Sequence, residues 1–285
     1  MKKIGLLSVL VVWAVSATAG IMIYPKHLFF DDKTKSAEIT LINSSPLESA
    51  NYRITLTYQR QNPDGSYTPV TTEELPADSV TKFLRYSPRS VMLTPSQSQT
   101  VRVLKRLPAD VKPGEYVGYI TFTEVLLEKP ATKQNTQPGA MSITLTPIPS
   151  FSVPIFLRYK VKENAPVTLR VQGVRDEKNG AVLTAVLTRQ AQEIPTSARG
   201  DLSVWDGEEM IGLIRGRYLL PSNTSVQTQI PLYLKDAQTD AQGKKHNQAL
   251  SRDDLKGKTL RVLFTQPDEG PVQKENVLAK AEITL

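Results

Sequence analysis

The sequence predicts an all-β protein made of two β-sandwich domains. Apolar and polar residues alternate with a period of two along most of the chain, as in residues 35–43 and 52–58. This alternation is typical of strands that bury one face. The helical spacing i, i+3, i+4 is not sustained anywhere beyond the first twenty residues. Proline outnumbers glycine, 20 to 15, which favours short strands joined by stiff turns over long helices.

The first domain is predicted from alternating segments separated by turn signals roughly every 8–12 residues, the spacing of a sandwich. Strands are predicted over residues 35–43, 52–58, 100–104 and 115–125. Turns are predicted at Asn62-Pro-Asp-Gly65 and Lys112-Pro-Gly114, where proline fixes φ and glycine permits a positive φ. Residues 128–139 are polar, contain proline and lack periodicity, so we expect a loop there.

The segment 143–157 is a long apolar strand interrupted by proline. One face carries six apolar residues: Ile143, Leu145, Phe151, Val153, Ile155 and Leu157. Three prolines fall within the same segment, and because proline cannot donate to a ladder, the strand cannot be paired fully on both edges. Since exposed apolar edges cause aggregation, the edge is predicted either to be covered or to serve binding. A central core strand is the alternative interpretation.

A short linker at Asn164-Ala-Pro166 separates the domains, which are predicted to span residues 20–160 and 161–285. Beyond it, strands are predicted over residues 167–174, 181–187, 201–205, 211–220, 226–232, 260–265 and 278–285. These strands extend over about 120 residues, close to the size of an immunoglobulin-like sandwich. Residues 236–257 are polar and rich in Lys and Asp, which predicts a solvated loop.

The first nineteen residues have the pattern of a cleaved secretory signal peptide. Lys2 and Lys3 precede an apolar run over residues 4–15, and Ala17 and Ala19 place small residues at the cleavage site. The run is shorter than the roughly 20 apolar residues of a membrane anchor. We therefore predict an exported protein with no stable membrane insertion.

Charge and composition exclude several classes of function. The 35 basic and 28 acidic residues give a net charge of +7, and removing Lys2 and Lys3 leaves 7 minus 2, or +5. This charge is spread along the chain, whereas a nucleic-acid binder usually concentrates it in a stripe. The chain has no cysteine and only two histidines, His27 and His246. Disulfides and thiolate sites are therefore excluded. Two histidines are also few for a multi-histidine metal site or a Ser-His-Asp triad.

A set of segments in order along the chain carries a family resemblance. In the first domain these are 23–30 (IYPKHLFF), 36–43 (SAEITLIN), 86–95 (YSPRSVMLTP), 100–103 (TVRV), 113–116 (PGEY), 120–122 (ITF) and 151–158 (FSVPIFLR). In the second they are 200–204 (GDLSV) and 218–221 (YLLP). Together they resemble the periplasmic pilus-assembly chaperones of the chaperone–usher pathway, and within these the archaic or alternate branch. The resemblance implies two immunoglobulin-like domains in an L-shaped arrangement with a cleft between them.

The resemblance also implies a function without catalysis, nucleotide or other cofactor. Such chaperones bind pilin subunits whose own sandwich lacks its last strand, lend them a strand, and deliver them to an outer-membrane usher in the periplasm. The lending strand here would be the segment 143–157. Its six apolar residues would insert into the subunit groove, on a face that stays largely empty until a subunit arrives.

In this family a cationic pair in the cleft anchors the C-terminal carboxylate of the subunit. Arginine suits this role because its guanidinium binds a carboxylate bidentately. The arginine of the family's first strand aligns here with His27, which Lys26 precedes, and the lysine of the family's lending strand is not matched. Arg89 and Arg158 are the other anchor candidates. For each of the four, an ordinary solvated surface cation is the alternative.

A fibre subunit or adhesin and a secreted enzyme are the two alternatives to a chaperone. A secreted fibre subunit or adhesin would usually carry an N-terminal donor extension, for which residues 21–24 are too short. A secreted enzyme would need a nucleophile positioned by a base, and the sequence shows none. The acidic pairs Asp31-Asp32 and Asp253-Asp254 lie in polar, turn-like segments, where charged residues are normally exposed.

Overall fold

The computed structural model of the protein describes residues 20–126, 147–161, 164–239, 245–267, 270 and 274–285. Across these residues the chain forms β-strands and three short 3-10 helices, at Thr72–Glu74, Val80–Phe83 and Asp253–Leu255, and no α-helix. The all-β prediction is therefore confirmed. None of the helices in the described ranges is long and apolar enough to cross a bilayer. The predicted signal peptide and the predicted loop over residues 128–139 lie outside the described residues.

The first domain is a sandwich of two sheets. Its strands are β1 (Ile21–Tyr24), β2 (Leu28–Phe30), β3 (Ser36–Asn43), β4 (Ala50–Gln61), β5 (Tyr67–Val70), β6 (Leu84–Ser87), β7 (Ser90–Leu93), β8 (Ser98–Lys105), β9 (Gly114–Glu124) and β10 (Ser150–Tyr159). One sheet has the spatial order β1-β3-β8-β6. The other has the order β2-β10-β9-β4-β5, with β7 also paired to β4. The strands pair antiparallel except β2 and β10, which are parallel.

The inner faces of these two sheets form one apolar core. Phe30, Ile39, Leu41, Ile54 and Phe122 are each at most 1% exposed. They come from both sheets, so the alternation seen in the sequence places one side chain in two between the sheets. Burial of this apolar surface is the main stabilising contribution to the domain.

The second domain has its own pair of sheets. Its strands are β11 (Val167–Glu177), β12 (Gly180–Arg189), β13 (Ala198–Asp206), β14 (Glu209–Leu219), β15 (Ser225–Pro231), β16 (Tyr233–Thr239), β17 (Lys245–Ala249), β18 (Thr259–Thr265) and β19 (Val277–Thr284). The sheet orders are β11-β12-β15 and β14-β13-β18-β19, and β16 and β17 form a separate hairpin. Each of the seven strands predicted for this half of the chain has a counterpart, in β11 to β15, β18 and β19.

The structure corrects the prediction of a solvated loop over residues 236–257. Within this segment, β16 extends to Thr239 and β17 covers Lys245–Ala249. Leu250 and Leu255, which are 6% and 0% exposed, pack into the core of the second domain. The segment looks like a loop in the sequence because these two leucines fit no period of two among the charged residues.

A small apolar cluster joins the two domains. Val117 and Phe156 of the first domain pack against Leu220 of the second, with Tyr218 beside them. The rings of Phe156 and Tyr218 are stacked, with their centroids 5.0 Å apart. The domains therefore share buried surface at their junction.

Candidate functional site

β10 is paired along its whole length on one side and only partly on the other. Its antiparallel pairing with β9 runs from Ser150 to Tyr159. On the other side, the parallel strand β2 covers only residues 155–157. Among the strands of the described residues, none pairs with the outer side of residues 150–154. We call this stretch the open edge.

The alternation of an antiparallel ladder assigns the backbone groups of the open edge. The N–H of Glu124 donates to the carbonyl of Pro149 at 3.1 Å, so Pro149 and every second residue after it bond to β9. Ser150, Ser152 and Pro154 therefore direct their backbone groups outward. Because the missing N–H of Pro154 falls on the outer side, the ladder to β9 stays intact. Ser150 and Ser152 offer N–H and C=O groups to an added strand.

The side chains at the open edge differ between the two faces of the sheet. Ile148 and Phe151 are large apolar residues that are 55% and 39% exposed. On the outer face, Ser152 Oγ lies 2.9 Å from Thr121 Oγ1, which lies 2.7 Å from Thr57 Oγ1. An added strand would therefore meet hydroxyl groups on the outer face and Phe151 on the inner face, while Ile148 lies just before β10.

The structure corrects the expectation that the face bearing Val153, Ile155 and Leu157 is empty. These residues are 6%, 0% and 0% exposed and belong to the core of the first domain. They point between the two sheets of the sandwich, where the opposite sheet already covers them. For this half of β10, the alternative interpretation as a core strand is right.

Of the other three residues assigned to the donor strand, only Phe151 lies within the described residues, at the open edge. Ile143 and Leu145 lie outside them. The exposed apolar surface of β10 that the structure describes is therefore at its N-terminal end.

Two adjoining cavities, of about 390 and 640 Å³, lie between the domains. Both are lined by His27 of the first domain and by Arg199 and Tyr218 of the second. Lys26 lines the larger cavity. We call the two cavities together the cleft. Burial raises the pKa of the Tyr218 phenol, so this wall of the cleft does not supply a phenolate at neutral pH.

The cleft carries an excess of positive charge. Lys26, Arg199 and Arg215 line its larger cavity beside a single carboxylate, Asp201. That carboxylate already accepts a hydrogen bond from the Gly216 N–H at 2.7 Å and lies 3.6 Å from Arg215 Nη1. Lys26 and Arg199 form no ion pair with a carboxylate among the residues that the structure describes.

His27 and Arg199 are in direct contact across the domain junction. Arg199 Nη1 lies 2.7 Å from His27 Nε2. Because a guanidinium can only donate, the imidazole accepts through this nitrogen. Arg199 also lies over the ring of Tyr218, with its Cζ 6.0 Å from the centroid. The pair thus combines one residue from each domain.

Arg199 was not among the anchor candidates predicted from the sequence. This residue stands in β13, between the buried residues Ala198 and Gly200. The only sign of a role for Arg199 was a cation within an otherwise buried strand. Its partner His27 lies 172 residues away, and a single sequence does not reveal such a pairing.

Arg158, one of the anchor candidates, is a buried cation whose guanidinium is already hydrogen-bonded within the protein. It is 8% exposed, and its Nε lies 2.6 Å from Glu115 Oε2. Its Nη2 donates to Asn164 Oδ1 at 2.7 Å and to the Ser197 carbonyl at 3.4 Å. These bonds engage the guanidinium with the first domain, the linker and the second domain. They leave little of it for a further carboxylate, although Arg158 lines the smaller cavity.

Arg89 lies away from the cleft, which corrects the expectation that it joins the anchor. It immediately precedes β7, which β4 and β9 separate from β10 in the sheet. Its Cζ lies 5.0 Å from the centroid of the Tyr86 ring, and its Nη1 donates to the Tyr86 hydroxyl at 3.4 Å. Of the four anchor candidates from the sequence, Lys26, His27 and Arg158 line the cleft with Arg199, and Arg89 does not.

The acidic pairs Asp31-Asp32 and Asp253-Asp254 are exposed, the first directly after β2 and the second in a 3-10 helix. Asp31 accepts hydrogen bonds from Thr34 and Lys33, and Asp254 accepts them from Ser251. These bonds lower the pKa of both carboxyl groups, the opposite of what a general acid needs. Within the described part of the chain, no three His, Cys, Asp or Glu side chains converge as a metal site.

Comparison with known proteins finds likeness only among solved structures. No family model and no curated protein matches the chain. A chaperone–tip adhesion subunit complex, CsuC–CsuE from the archaic chaperone–usher Csu pili of Acinetobacter baumannii, is 17% identical with a TM-score of 0.44, covering 93% of this chain and 99% of that chain.

Two further solved structures are similar over the same share of this chain, 93%. The SafB chaperone in complex with the SafA pilin of Salmonella enterica is 12% identical, with a TM-score of 0.43 and 96% of that chain covered. The CupB2 chaperone of Pseudomonas aeruginosa is 9% identical, with a TM-score of 0.45 and 100% covered.

Proposed function

We propose that this protein is a periplasmic chaperone that binds pilin subunits by adding a strand to them and delivers them to an outer-membrane usher. The observation that carries the proposal is the open edge of β10. Unpaired strand edges with exposed apolar residues are normally avoided, because they recruit other chains. An edge of this kind that is retained in a folded domain is suited to β-strand addition.

The open edge indicates which groups of the protein contact the subunit. Ser150 and Ser152 supply the backbone hydrogen bonds, which give affinity without regard to sequence. Ile148 and Phe151 supply apolar contacts to the subunit. Beyond Pro154 the edge offers no donor until β2 takes over the pairing. The subunit strand therefore pairs with residues up to 152 and ends beside the segment that carries Lys26 and His27.

The cleft supports a second contact, with a carboxylate. A chain that ends at this point brings its C-terminal carboxylate toward Lys26, His27 and Arg199. A partly desolvated carboxylate is best held by charge-assisted hydrogen bonds, and Arg199 and Lys26 can donate them. We assign the anchor to these three residues.

The alternative, a fibre subunit or adhesin, fits the structure less well. A fibre subunit needs a free N-terminal extension to donate. Ile21–Tyr24 is instead β1, and it pairs along its whole length with β3 of its own domain. The described chain therefore has its donating edge in β10.

The proposal is tested by co-expressing the protein with candidate pilin subunits and measuring co-purification from the periplasm. The variant Ile148→Asp/Phe151→Asp should abolish capture, because each carboxylate would be buried on binding without a partner. The thermal midpoint of the free protein should change little, because both side chains are exposed. Full capture by this variant would reject the open edge as the binding site.

A contrasting variant checks that the two halves of β10 differ. Val153→Asp/Ile155→Asp places two carboxylates in the core of the first domain, so the protein should unfold or fail to accumulate. If the Val153→Asp/Ile155→Asp protein is stable and loses only capture, the subunit binds to the inner face of β10 and not to the open edge.

A further inference from the structure

The turn between β4 and β5 packs against the second domain. We propose that residues 61–65, which we call the interdomain latch, fix the position of Tyr218 and Arg199 and so set the geometry of the cleft. The latch is far in sequence from the cleft residues, and none of its residues lines either cavity of the cleft. Its residues would act as positioning residues, through the end of β14.

Gln61 is the centre of the latch. Its side chain belongs to the first domain and is 1% exposed. Its Oε1 accepts from the Leu220 N–H at 3.0 Å, and its Nε2 donates to the Tyr218 carbonyl at 2.8 Å. The backbone carbonyl of Gln61 accepts from Asn223 Nδ2 at 2.8 Å. The amide of Gln61 thus bonds to β14 as a neighbouring strand would, with both of its polar atoms satisfied.

The turn itself makes the second part of the latch. The Pro63 carbonyl accepts from the Gln227 N–H at 2.7 Å, a direct backbone bond between the domains. Arg217 donates to the Gly65 carbonyl at 3.4 Å and to the Gln227 carbonyl at 3.0 Å. Burial lowers the pKa of Arg217. The predicted Asn62–Gly65 turn therefore serves as a contact surface between the domains.

Only glycine fits at the closest point of this contact. Gly65 has a φ of +83°, in the left-handed region that favours glycine. A Cβ at this position would lie 2.6 Å from the backbone carbonyl oxygen of Gln227 and 1.7 Å from Arg217 Nη2. The arginine side chain can move away, but the backbone of β15 cannot move without shifting the sheet.

The latch reaches the cleft through Tyr218. Gln61 holds the backbone of this residue, and the ring stacks on Phe156 and lies beneath Arg199. Arg199 in turn contacts His27. A shift of β14 relative to β4 would therefore move Arg199 relative to the first domain and break the His27 contact.

The latch is tested by measuring the distance between the domains. Because the chain has no cysteine, spin labels can be attached at Leu47→Cys and Lys178→Cys, two exposed positions, one in each domain. Pulsed EPR of the otherwise unchanged protein should give a single narrow distance distribution. Gly65→Ala and Gln61→Glu should each broaden and shift it, because the first clashes with β15 and the second removes the donor to Tyr218.

The matched control is Gly257→Ala. Gly257 has a φ of +78°, but a Cβ there meets nothing within 4 Å, so this variant carries the same backbone strain without a contact between domains. It should leave the distribution unchanged. If Gly65→Ala does not fold, Asn223→Ala takes its place in the test, because it removes the hydrogen bond from Asn223 to the Gln61 carbonyl. Distributions identical to the control in Gln61→Glu and Asn223→Ala would overturn the latch.

A second measurement tests whether the latch matters for subunit capture. Unlike the distance measurement, it rests on the proposed function. The latch variants should capture co-expressed pilin about tenfold less well, the loss expected when one charge-assisted bond is misplaced. If the unchanged protein captures no pilin, the proposed function fails while the distance measurement still decides the latch. Broadened distances with undiminished capture would show that the latch does not position the anchor.

Discussion

At the scale of single residues, the ion pair of Arg158 and Glu115 is a buried charge pair between β10 and β9, and Arg158 also donates to Asn164 and to the Ser197 carbonyl at the domain junction. The side chains are 9% and 0% exposed, with Nε and Oε2 2.6 Å apart. Removing one member of a buried pair leaves the other charge uncompensated, at a cost of about 3–5 kcal/mol. Arg158→Ala should therefore lower the free energy of unfolding by this amount, measured by denaturant titration.

The exposed pair of Arg102 and Glu38 provides the control for this prediction. Its side chains are 64% and 54% exposed, although the atoms are only 2.9 Å apart. Arg102→Ala should cost less than about 1 kcal/mol, because water screens the pair. Equal losses in the two variants would show that Arg158 does not act as a buried structural cation.

Asp78 makes the stability of the first domain depend on pH. Burial raises the pKa of its carboxyl group above the usual 3.8, and the Tyr58 hydroxyl donates to it at 3.4 Å. Because the folded-state pKa exceeds that of the unfolded chain, the contribution of Asp78 is fully present below about pH 3.8. It is lost as the pH rises through the folded-state pKa. Asp78→Asn should therefore raise the thermal midpoint at pH 7, and the gain should shrink toward pH 4.

Asp31 tests the sign of this effect in the same domain. Hydrogen bonds from Thr34 lower its pKa, so its contribution is present above the unfolded-state pKa and is lost as the pH falls through the folded-state pKa. Asp31→Asn should lower the midpoint at pH 7 rather than raise it. A midpoint that falls in Asp78→Asn as well would contradict the assignment for Asp78.

At the scale of elements, local patterns predicted most of the longer strands but not the short strands β1, β2, β5, β6 and β7, because alternation and turn residues act within a few positions. β4 and β8 appear where period two indicated them, and the Asn62–Gly65 turn lies between β4 and β5. The same patterns could not predict which edge of β10 is free, because this depends on β2, a three-residue strand more than 100 residues earlier. The prolines of β10 showed that one edge is restricted, but they gave no sign of how far β2 covers it.

The inner face of β10 shows a second limit of local patterns. Val153, Ile155 and Leu157 have the same alternation whether they fill the core of their own domain or the groove of another protein. Only the opposing sheet, which contributes Ile39 and Leu41 to the same core, decides between the two. Phe151 lies on the same face but is exposed, because it stands near the N-terminal end of β10, where the core ends.

At the scale of the whole molecule, the cleft is a property of neither domain alone. His27 immediately precedes β2 and Arg199 lies at the start of β13, and they meet only because the two domains are bonded at their junction. This is why the first-domain candidates from the sequence were incomplete. A carboxylate held here would be bound by both domains at once, so that a subunit anchored in the cleft also stabilises their relative position.

The shared anchor makes a prediction about additivity. If Arg199 and the Lys26–His27 segment hold the same carboxylate, removing either leaves the anion poorly compensated, at a cost of about 2–5 kcal/mol in binding. Arg199→Ala should then lower pilin capture about as much as Lys26→Ala/His27→Ala does. The triple variant should lose little more, because the carboxylate is already released.

Arg89→Ala is the control for this prediction: it removes a cation outside the cleft and should leave capture unchanged. Fully additive losses, measured as dissociation constants on purified subunit, would mean that the two groups bind different parts of the subunit. Undiminished binding in Arg199→Ala would remove the second domain from the anchor.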